Sequence, residues 1–140
     1  DGEALPLDVC FVLRDGTDIT LVTWGAQVKE SLEAAEQLAK EGISAEVIDL
    51  ATLTPLDFDT IAESVQKTGR CVIVHEAPRT AGFGAEIAAR IAEECIYDLL
   101  APVVRVTGWD IHTPLYRLEN KQLPSAARVV AAAKRTLAAG

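Results

Sequence analysis

Residues 19–50, ITLVTWGAQVKESLEAAEQLAKEGISAEVIDL, decide the fold. Ile19–Trp24 is a β-branched run with few polar residues, the composition of a strand covered on both faces. From Gln27 to Glu41 the apolar period changes: Val28, Leu32, Ala35 and Leu38/Ala39 share one side of a helix. Glu36 and Lys40 form an i,i+4 pair on its outer side, and Gly42 supplies the stop. Ala45–Leu50 then returns as a second apolar strand. Strand, helix and strand in close succession make a βαβ unit, and so a parallel pair.

Working outward toward the N-terminus, Leu7–Leu13 (LDVCFVL) reads as a further strand, followed by the turn Arg14-Asp15-Gly16. The link Asp15–Asp18 is too short for a crossover, so this first strand runs antiparallel to the second. Toward the C-terminus, Thr54-Pro55-Leu56-Asp57 predicts a helix start: Thr caps, Pro suits the first turn, and Asp favours the positive end of the dipole. Ile61 and Val65 face inward until Thr68-Gly69 ends that helix. Cys71–Val74 is a short apolar strand ending at His75-Glu76. A loop from Ala77 to Phe83 leads into a helix from Gly84 to Cys95 that buries Ile87, Ala88 and Ile91. Val103–Val106 makes the last strand, Thr107–Leu123 is irregular, and Pro124–Leu137 closes the chain as an alanine-rich helix. The assembly expected is α/β: four parallel strands and an antiparallel first strand, sandwiched by helices. Open parallel sheets carry functional groups at the carboxyl ends of their strands. Those ends are Trp24-Gly25, Asp49-Leu50, His75-Glu76 and Thr107-Gly108.

Composition narrows the function classes. The 140 residues suffice for one domain with its own core, and 49% of them are hydrophobic, which excludes a disordered segment. Aromatics are only 5%, which favours small-residue helices packed on a sheet over a large aromatic pocket. The formal net charge of -8 disfavours nucleic-acid binding and attachment to an anionic membrane face; its plain reading is solubility, and the functional alternative is an acidic patch that docks a basic partner domain. No apolar run is long enough to span a bilayer. The cysteines Cys10, Cys71 and Cys95 form no C-x-x-C pair and read as structural thiols of a reducing compartment. The histidines His75 and His112 are too far apart for a zinc site. With no methionine and Asp1 at its start, the chain reads as a fragment or a processed product.

His75-Glu76-Ala77-Pro78-Arg79-Thr80 is the most chemically loaded segment, with an imidazole, a carboxylate and a guanidinium at a strand end. The plainer reading is that Glu76 and Arg79 fix the loop, or cross a subunit interface, as an ion pair. The alternative is contact with substrate or with a neighbouring catalytic domain. Gly82-Phe83-Gly84 opens a helix but lacks the third glycine of a dinucleotide fingerprint, Ile87 standing in its place. Tight helix entry and close packing explain these glycines better. Cys71 lies at the far end of its strand from His75, which is poor geometry for a dyad. The candidate interface or substrate-proximal loop is therefore His75, Glu76, Arg79, Thr80, Gly82, Phe83 and Gly84. No catalytic, cofactor-binding or metal-ligating residue is assigned.

The order of these motifs — strand–Gly–helix, Glu-Val-Ile-Asp-Leu, Thr-Pro-Leu-Asp, then His-Glu-Ala-Pro-Arg-Thr — resembles the C-terminal domain of 2-oxo acid dehydrogenase beta subunits, from about Pro6 to Leu137. Glu94-Cys95, Ala101-Pro102 and Arg105–Asp110 look most like the branched-chain enzyme, with the pyruvate enzyme as runner-up. Ala81 replaces the first glycine of the usual Gly-Gly-Phe, and His112 sits where proline is common. The resemblance implies a three-layer α/β/α sandwich with a mixed five-stranded sheet. Residues 1–140 would be one domain of a longer beta subunit, with residues 1–6 the linker from its N-terminal domain.

The resemblance also implies partners: an alpha subunit and a second beta subunit in a heterotetramer, and an acyltransferase component docking through its small, basic subunit-binding domain. Thiamine diphosphate and Mg2+ would belong to the full enzyme and not to this domain, which would be inactive alone. The location implied is the bacterial cytoplasm or the mitochondrial matrix. Two other readings stay open. One is a stand-alone flavodoxin-like binding or regulatory module, and the other is the C-terminal domain of a transketolase or deoxyxylulose-phosphate synthase relative.

Overall fold

The computed structural model describes residues 6–139; of the linker expected at residues 1–6, all but Pro6 lies outside them. Five strands, β1 (Phe11–Arg14), β2 (Ile19–Thr23), β3 (Ala45–Asp49), β4 (Cys71–Pro78) and β5 (Val104–Gly108), form one sheet in the order β1-β3-β2-β4-β5. β2, β3, β4 and β5 are parallel, and β1 adds to β3 in the opposite sense, as the short Asp15–Asp18 link requires. The partner of β1 is β3 and not its sequence neighbour β2, whose two sides are taken by β3 and β4.

The helices are α1 (Gln27–Lys40), α2 (Phe58–Thr68), α3 (Gly84–Glu94), the short α4 (Glu119–Gln122) and α5 (Ala126–Leu137). Strand alternation divides the core into two layers. Ile19, Leu21, Val47, Val72 and Val74 face α1 and α5, whose alanines Ala34, Ala35, Ala132 and Ala133 close on them. Val22, Ile48, Cys71 and Ile73 face α2 and α3, meeting Phe58, Ile61, Val65, Ile87 and Ile91. Each fully buried Ile, Leu or Val contributes about 1.5–3 kcal/mol of transfer free energy. Between α1 and α5, small side chains let the backbones approach. Glu30 then reaches across to accept a hydrogen bond from Ala126 N (2.8 Å), capping the start of α5 from another helix.

Several boundaries differ from the expectations, each for a local reason. β1 begins at Phe11 and not Leu7, because Asp57 takes the Cys10 N–H (2.8 Å) and Leu7 lies in solvent. α2 begins at Phe58: Asp57, not Thr54, is the N-cap, accepting from Thr60 N (3.2 Å) and Thr60 Oγ1 (2.7 Å). α5 begins after Ser125, whose hydroxyl caps Arg128 N. The buried stripe of α1 is Gln27, Ser31, Ala34, Ala35 and Leu38, rotated from the one expected. Val28 and Leu32 instead edge an open groove of 580 Å³ with Gly25, Ala26, Lys29, Glu33 and Glu36. The Glu36–Lys40 pair does not close among the described residues; at this end of α1, Lys134 of α5 holds Glu41 at 2.6 Å.

Candidate functional site

The apolar sequence Cys71–Val74 drives β4 through the core between β2 and β5, so whatever follows is placed at the sheet's carboxyl edge. Sequence reasoning ended this strand at Val74. In the structure it continues to Pro78 with a register shift against β5 between Val74 and Pro78, the signature of a bulge. His75 and Glu76 therefore lie within a strand and project to opposite faces.

His75 follows Ile73 onto the α2/α3 face and is 1% exposed. Trp24, from the end of β2, stacks on the imidazole with centroids 5.1 Å apart and planes 10° from parallel. Phe83 meets Trp24 edge-on at 6.1 Å. Gly82 and Gly84 close the remaining side: a Cβ on Gly82 would stand 2.7 Å from His75 Cε1, and one on Gly84 would stand 2.5 Å from Cδ2. Close packing, the sequence reading of these two glycines, is therefore what they do. Among the described residues neither ring nitrogen of His75 has a hydrogen-bond partner. Burial, with the positive charge of Arg105 next, holds its pKa below the ordinary histidine value. The ring therefore favours its neutral form and is shielded from solvent.

The other loop residues separate. Glu76 is exposed on the α1/α5 face. Arg79 does not pair with it among the described residues. Instead Arg79 Nη1 donates to Arg105 O (3.4 Å), while Arg105 Nη1 donates to Arg79 O (2.9 Å). Thr80 is fixed from the next strand end, its N–H and hydroxyl both donating to the Asp110 carboxylate at 2.9 and 2.7 Å. These Thr80 bonds, together with nearby Arg79, hold the Asp110 carboxyl below the usual range. Of the seven residues named from sequence, the structure brings His75, Gly82, Phe83 and Gly84 into one packed unit. Arg79 and Thr80 are tied to β5, and Glu76 turns away.

Sequence reasoning missed the partners that hold this edge together. Trp24, Arg105 and Asp110 lie at or beside strand ends it had flagged, but nothing in their spacing announces the contacts. The 107–123 stretch, expected to be irregular, is pinned by Trp109: its Nε1 donates to Lys121 O (3.0 Å), and its carbonyl accepts from Gln122 Nε2 (2.9 Å). The Arg128 guanidinium lies 4.4 Å over the indole and donates to Thr107 O (2.7 Å). Cys71 and Cys95 are buried. Burial first, then the neighbouring Cys95, pushes the Cys71 thiol up to about 12. Half-buried Cys10 donates to Asp57 O (3.3 Å) and is likewise raised to about 12, by burial and then the Asp57 charge. None of the three has the lowered pKa a nucleophile needs.

The family model "Transketolase, C-terminal domain" matches residues 9–129. The chain belongs to the transketolase C-terminal domain family. Within that family it is 51% identical, over 126 residues, to the "Pyruvate dehydrogenase E1 component subunit beta" of Staphylococcus epidermidis, covering 90% of this chain and 39% of the relative. It is 49% identical, over 133 residues, to the "3-methyl-2-oxobutanoate dehydrogenase subunit beta" of Mycobacterium tuberculosis, covering 94% of this chain and 38% of the relative. A solved "Split gene transketolase, inactive beta4 tetramer" superposes with a TM-score of 0.84 at 35% identity, over 96% of this chain and 43% of that one. The chain thus spans about two fifths of the length of the curated relatives it matches. At its sheet's carboxyl edge this transketolase C-terminal domain carries a hydrogen-bonded rim, the Arg79–Arg105 and Thr80–Asp110 links. The described residues give a diphosphate and its Mg2+ no cradle: the glycines that open α3 are closed on His75, and no three Asp, Glu, His or Cys side chains among them converge. No helix among the described residues is long and apolar enough to cross a membrane.

Proposed function

We propose that this chain is the C-terminal assembly domain of a longer beta subunit, in an enzyme that oxidatively decarboxylates a 2-oxo acid and passes the acyl group to a lipoyl carrier. The observation that carries this is the pair of matches at about half identity to dehydrogenase beta subunits, each over nine tenths or more of this chain. The substrate is a branched-chain 2-oxo acid or pyruvate; the near-equal identities to the two relatives support both. Thiamine diphosphate supplies the carbanion chemistry of such enzymes, and parts of the protein outside this chain hold it. The domain's own work is to build contacts with an alpha subunit and a second beta subunit, and to dock the acyltransferase component's basic binding domain. The formal charge of -8 supports that last role. The loop 75–84 is a shaped interface element beside the catalytic domains: its residues are bonded to their own strand ends, and its histidine is sealed. The protein acts in the bacterial cytoplasm or the mitochondrial matrix.

Calorimetry tests the division of labour. Titrating thiamine diphosphate with Mg2+ into this chain should give no saturable heat at micromolar cofactor. Micromolar binding would overturn the assignment of the cofactor to the rest of the enzyme.

A further inference from the structure

The loop that closes on His75 is held against two costs of its own. The imidazole is buried, and among the described residues neither of its nitrogens meets a hydrogen-bond partner. A neutral ring holds one donor and one acceptor, so the closed loop leaves both unmet where water does not reach them. In the same loop Ala81 sits at φ +59°, a left-handed conformation that residues other than glycine rarely take. Strain of this kind persists only where surrounding contacts enforce it, and it gathers at segments that switch.

The contacts that enforce it lie outside the core. Pro78, Arg79, Thr80 and Ala81 are all exposed. Their fixings run to β5 and the residues just after it. Thr80 N and Oγ1 donate to the Asp110 carboxylate at 2.9 and 2.7 Å, and Arg79 and Arg105 donate to each other's carbonyl at 3.4 and 2.9 Å. Exposed hydrogen bonds of this sort open locally far more readily than a packed core does. Against the ring itself the loop sets a bare glycine: a Cβ on Gly82 would stand 2.7 Å from His75 Cε1 and 3.5 Å from Nε2. Lifting Gly82 therefore uncovers the Cε1 edge of the imidazole, which carries a nitrogen on each side. We infer that residues 79–83 form a latch over a masked imidazole: the segment lifts from His75 while the sheet and helices stay folded, and the ring then offers a nitrogen at the sheet's carboxyl edge. Shielded when the latch is closed, the ring becomes a group that accepts or passes a proton when it is open. The links to Asp110 and Arg105 set how often this happens, because they must break before the segment lifts. The latch rests on the loop alone and does not require the dehydrogenase reading.

The chain has two histidines, His75 and the exposed His112, so chemical modification reads the latch directly. Diethyl pyrocarbonate acylates an accessible neutral ring nitrogen. The N–C bond forms, the anhydride C–O bond breaks, and ethyl carbonate leaves with the ring proton to give ethanol and carbon dioxide. With the products mapped by mass spectrometry at neutral pH, His75 should react more slowly than His112 by roughly a hundredfold or more. Urea below the unfolding transition should leave the His75 rate nearly unchanged, because a local opening exposes little surface. Thr80→Ala removes one link and should speed His75 roughly threefold to tenfold; Asp110→Ala removes both Thr80 bonds and should speed it further. Asp57→Ala, which weakens the domain through the α2 cap and leaves the latch intact, should not speed it. A His75 rate that climbs with urea in step with global unfolding would overturn the latch. So would a rate equal to that of His112, one unmoved by both Thr80→Ala and Asp110→Ala, or one raised as much by Asp57→Ala as by Asp110→Ala.

Discussion

Replacing Gly84 by alanine tests the packing of the loop on His75. The new methyl would stand 2.5 Å from His75 Cδ2, closer still to Nε2, and 3.1 Å from Ile73 Cγ2. Against normal separations of about 3.5–4.0 Å, the overlap is roughly 1 Å. The ring has no room to retreat, because Trp24 stacks on it and its exposure is 1%. Overpacking of this kind costs typically about 1–3 kcal/mol, and a clash against a ring held on both sides belongs at the upper end. For a domain of this size that lowers Tm by roughly 8–15 °C. Guanidinium melts followed by circular dichroism would measure it, and a double-mutant cycle would assign it. His75→Ala alone leaves a cavity and destabilises. In that background the added methyl finds space, and Gly84→Ala, at the first position of a helix, becomes neutral or gains up to about 1 kcal/mol of helix propensity. The expected coupling is therefore at least about 2 kcal/mol. A Gly84→Ala cost that is equal in both backgrounds, or negligible in the wild type, refutes the packing argument.

Four further outcomes follow from the same geometry. His75 has a depressed folded pKa, so the unfolded chain binds the proton first as pH falls; stability is full above about 6.5 and declines below it, down to the folded pKa, by up to about 1.4 kcal/mol per pH unit. Urea melts between pH 8 and pH 5 should show that decline, and His75→Phe should flatten it; a decline unchanged in the variant contradicts the assignment. Ala81 sits at φ +59°, in the left-handed region, where a non-glycine residue costs about 1–2 kcal/mol. Ala81→Gly should recover part of that, net of about 0.4–1 kcal/mol of unfolded-chain entropy, so Tm should rise slightly; a fall in Tm counts against the strain. Asp57→Ala removes both the α2 cap and the anchor of Cys10 N, costing about 1–2 kcal/mol in denaturant melts; a loss below about 0.3 kcal/mol would show the cap to be idle. Alkylation mapped by mass spectrometry at pH 8 should be slow at all three cysteines, with Cys71 and Cys95 reacting only as the chain unfolds; rapid native labelling of Cys71 would contradict its burial.

The parallel sheet was legible because three signals follow one another in residues 19–50: a β-branched run, then a helical period ended by Gly42, then a second apolar run. The antiparallel β1 was legible from loop length alone. What escaped is what depends on tertiary partners. The stripe of α1 is set by docking onto α5, which favours Ser31 and Ala34 over the larger Val28 and Leu32 that sequence preferred. Asp57 outcompetes Thr54 as a cap because Cys10 and Thr60 also bind it. At the candidate site, the strand was expected to stop at Val74 but runs on to Pro78, and alternation within this longer β4 splits His75 from Glu76. The Arg79–Arg105 exchange and the Thr80–Asp110 link join positions 26 and 30 residues apart, beyond the reach of local pattern. Ala81 is the opposite case: the position where the sequence resemblance implied a glycine falls on a left-handed backbone conformation.

The central claim is that this chain is one part of a 2-oxo acid decarboxylating enzyme, and the most direct test is activity of the assembled whole. The full-length beta subunit would be co-purified with its alpha subunit, supplied with thiamine diphosphate and Mg2+, and assayed for substrate-dependent dye reduction with pyruvate and with 3-methyl-2-oxobutanoate. The account predicts turnover of at least one of the two acids by the assembly, and none by the 140-residue chain alone. Inactivity of a correctly assembled, cofactor-loaded complex toward both, or turnover by the isolated chain, would contradict it.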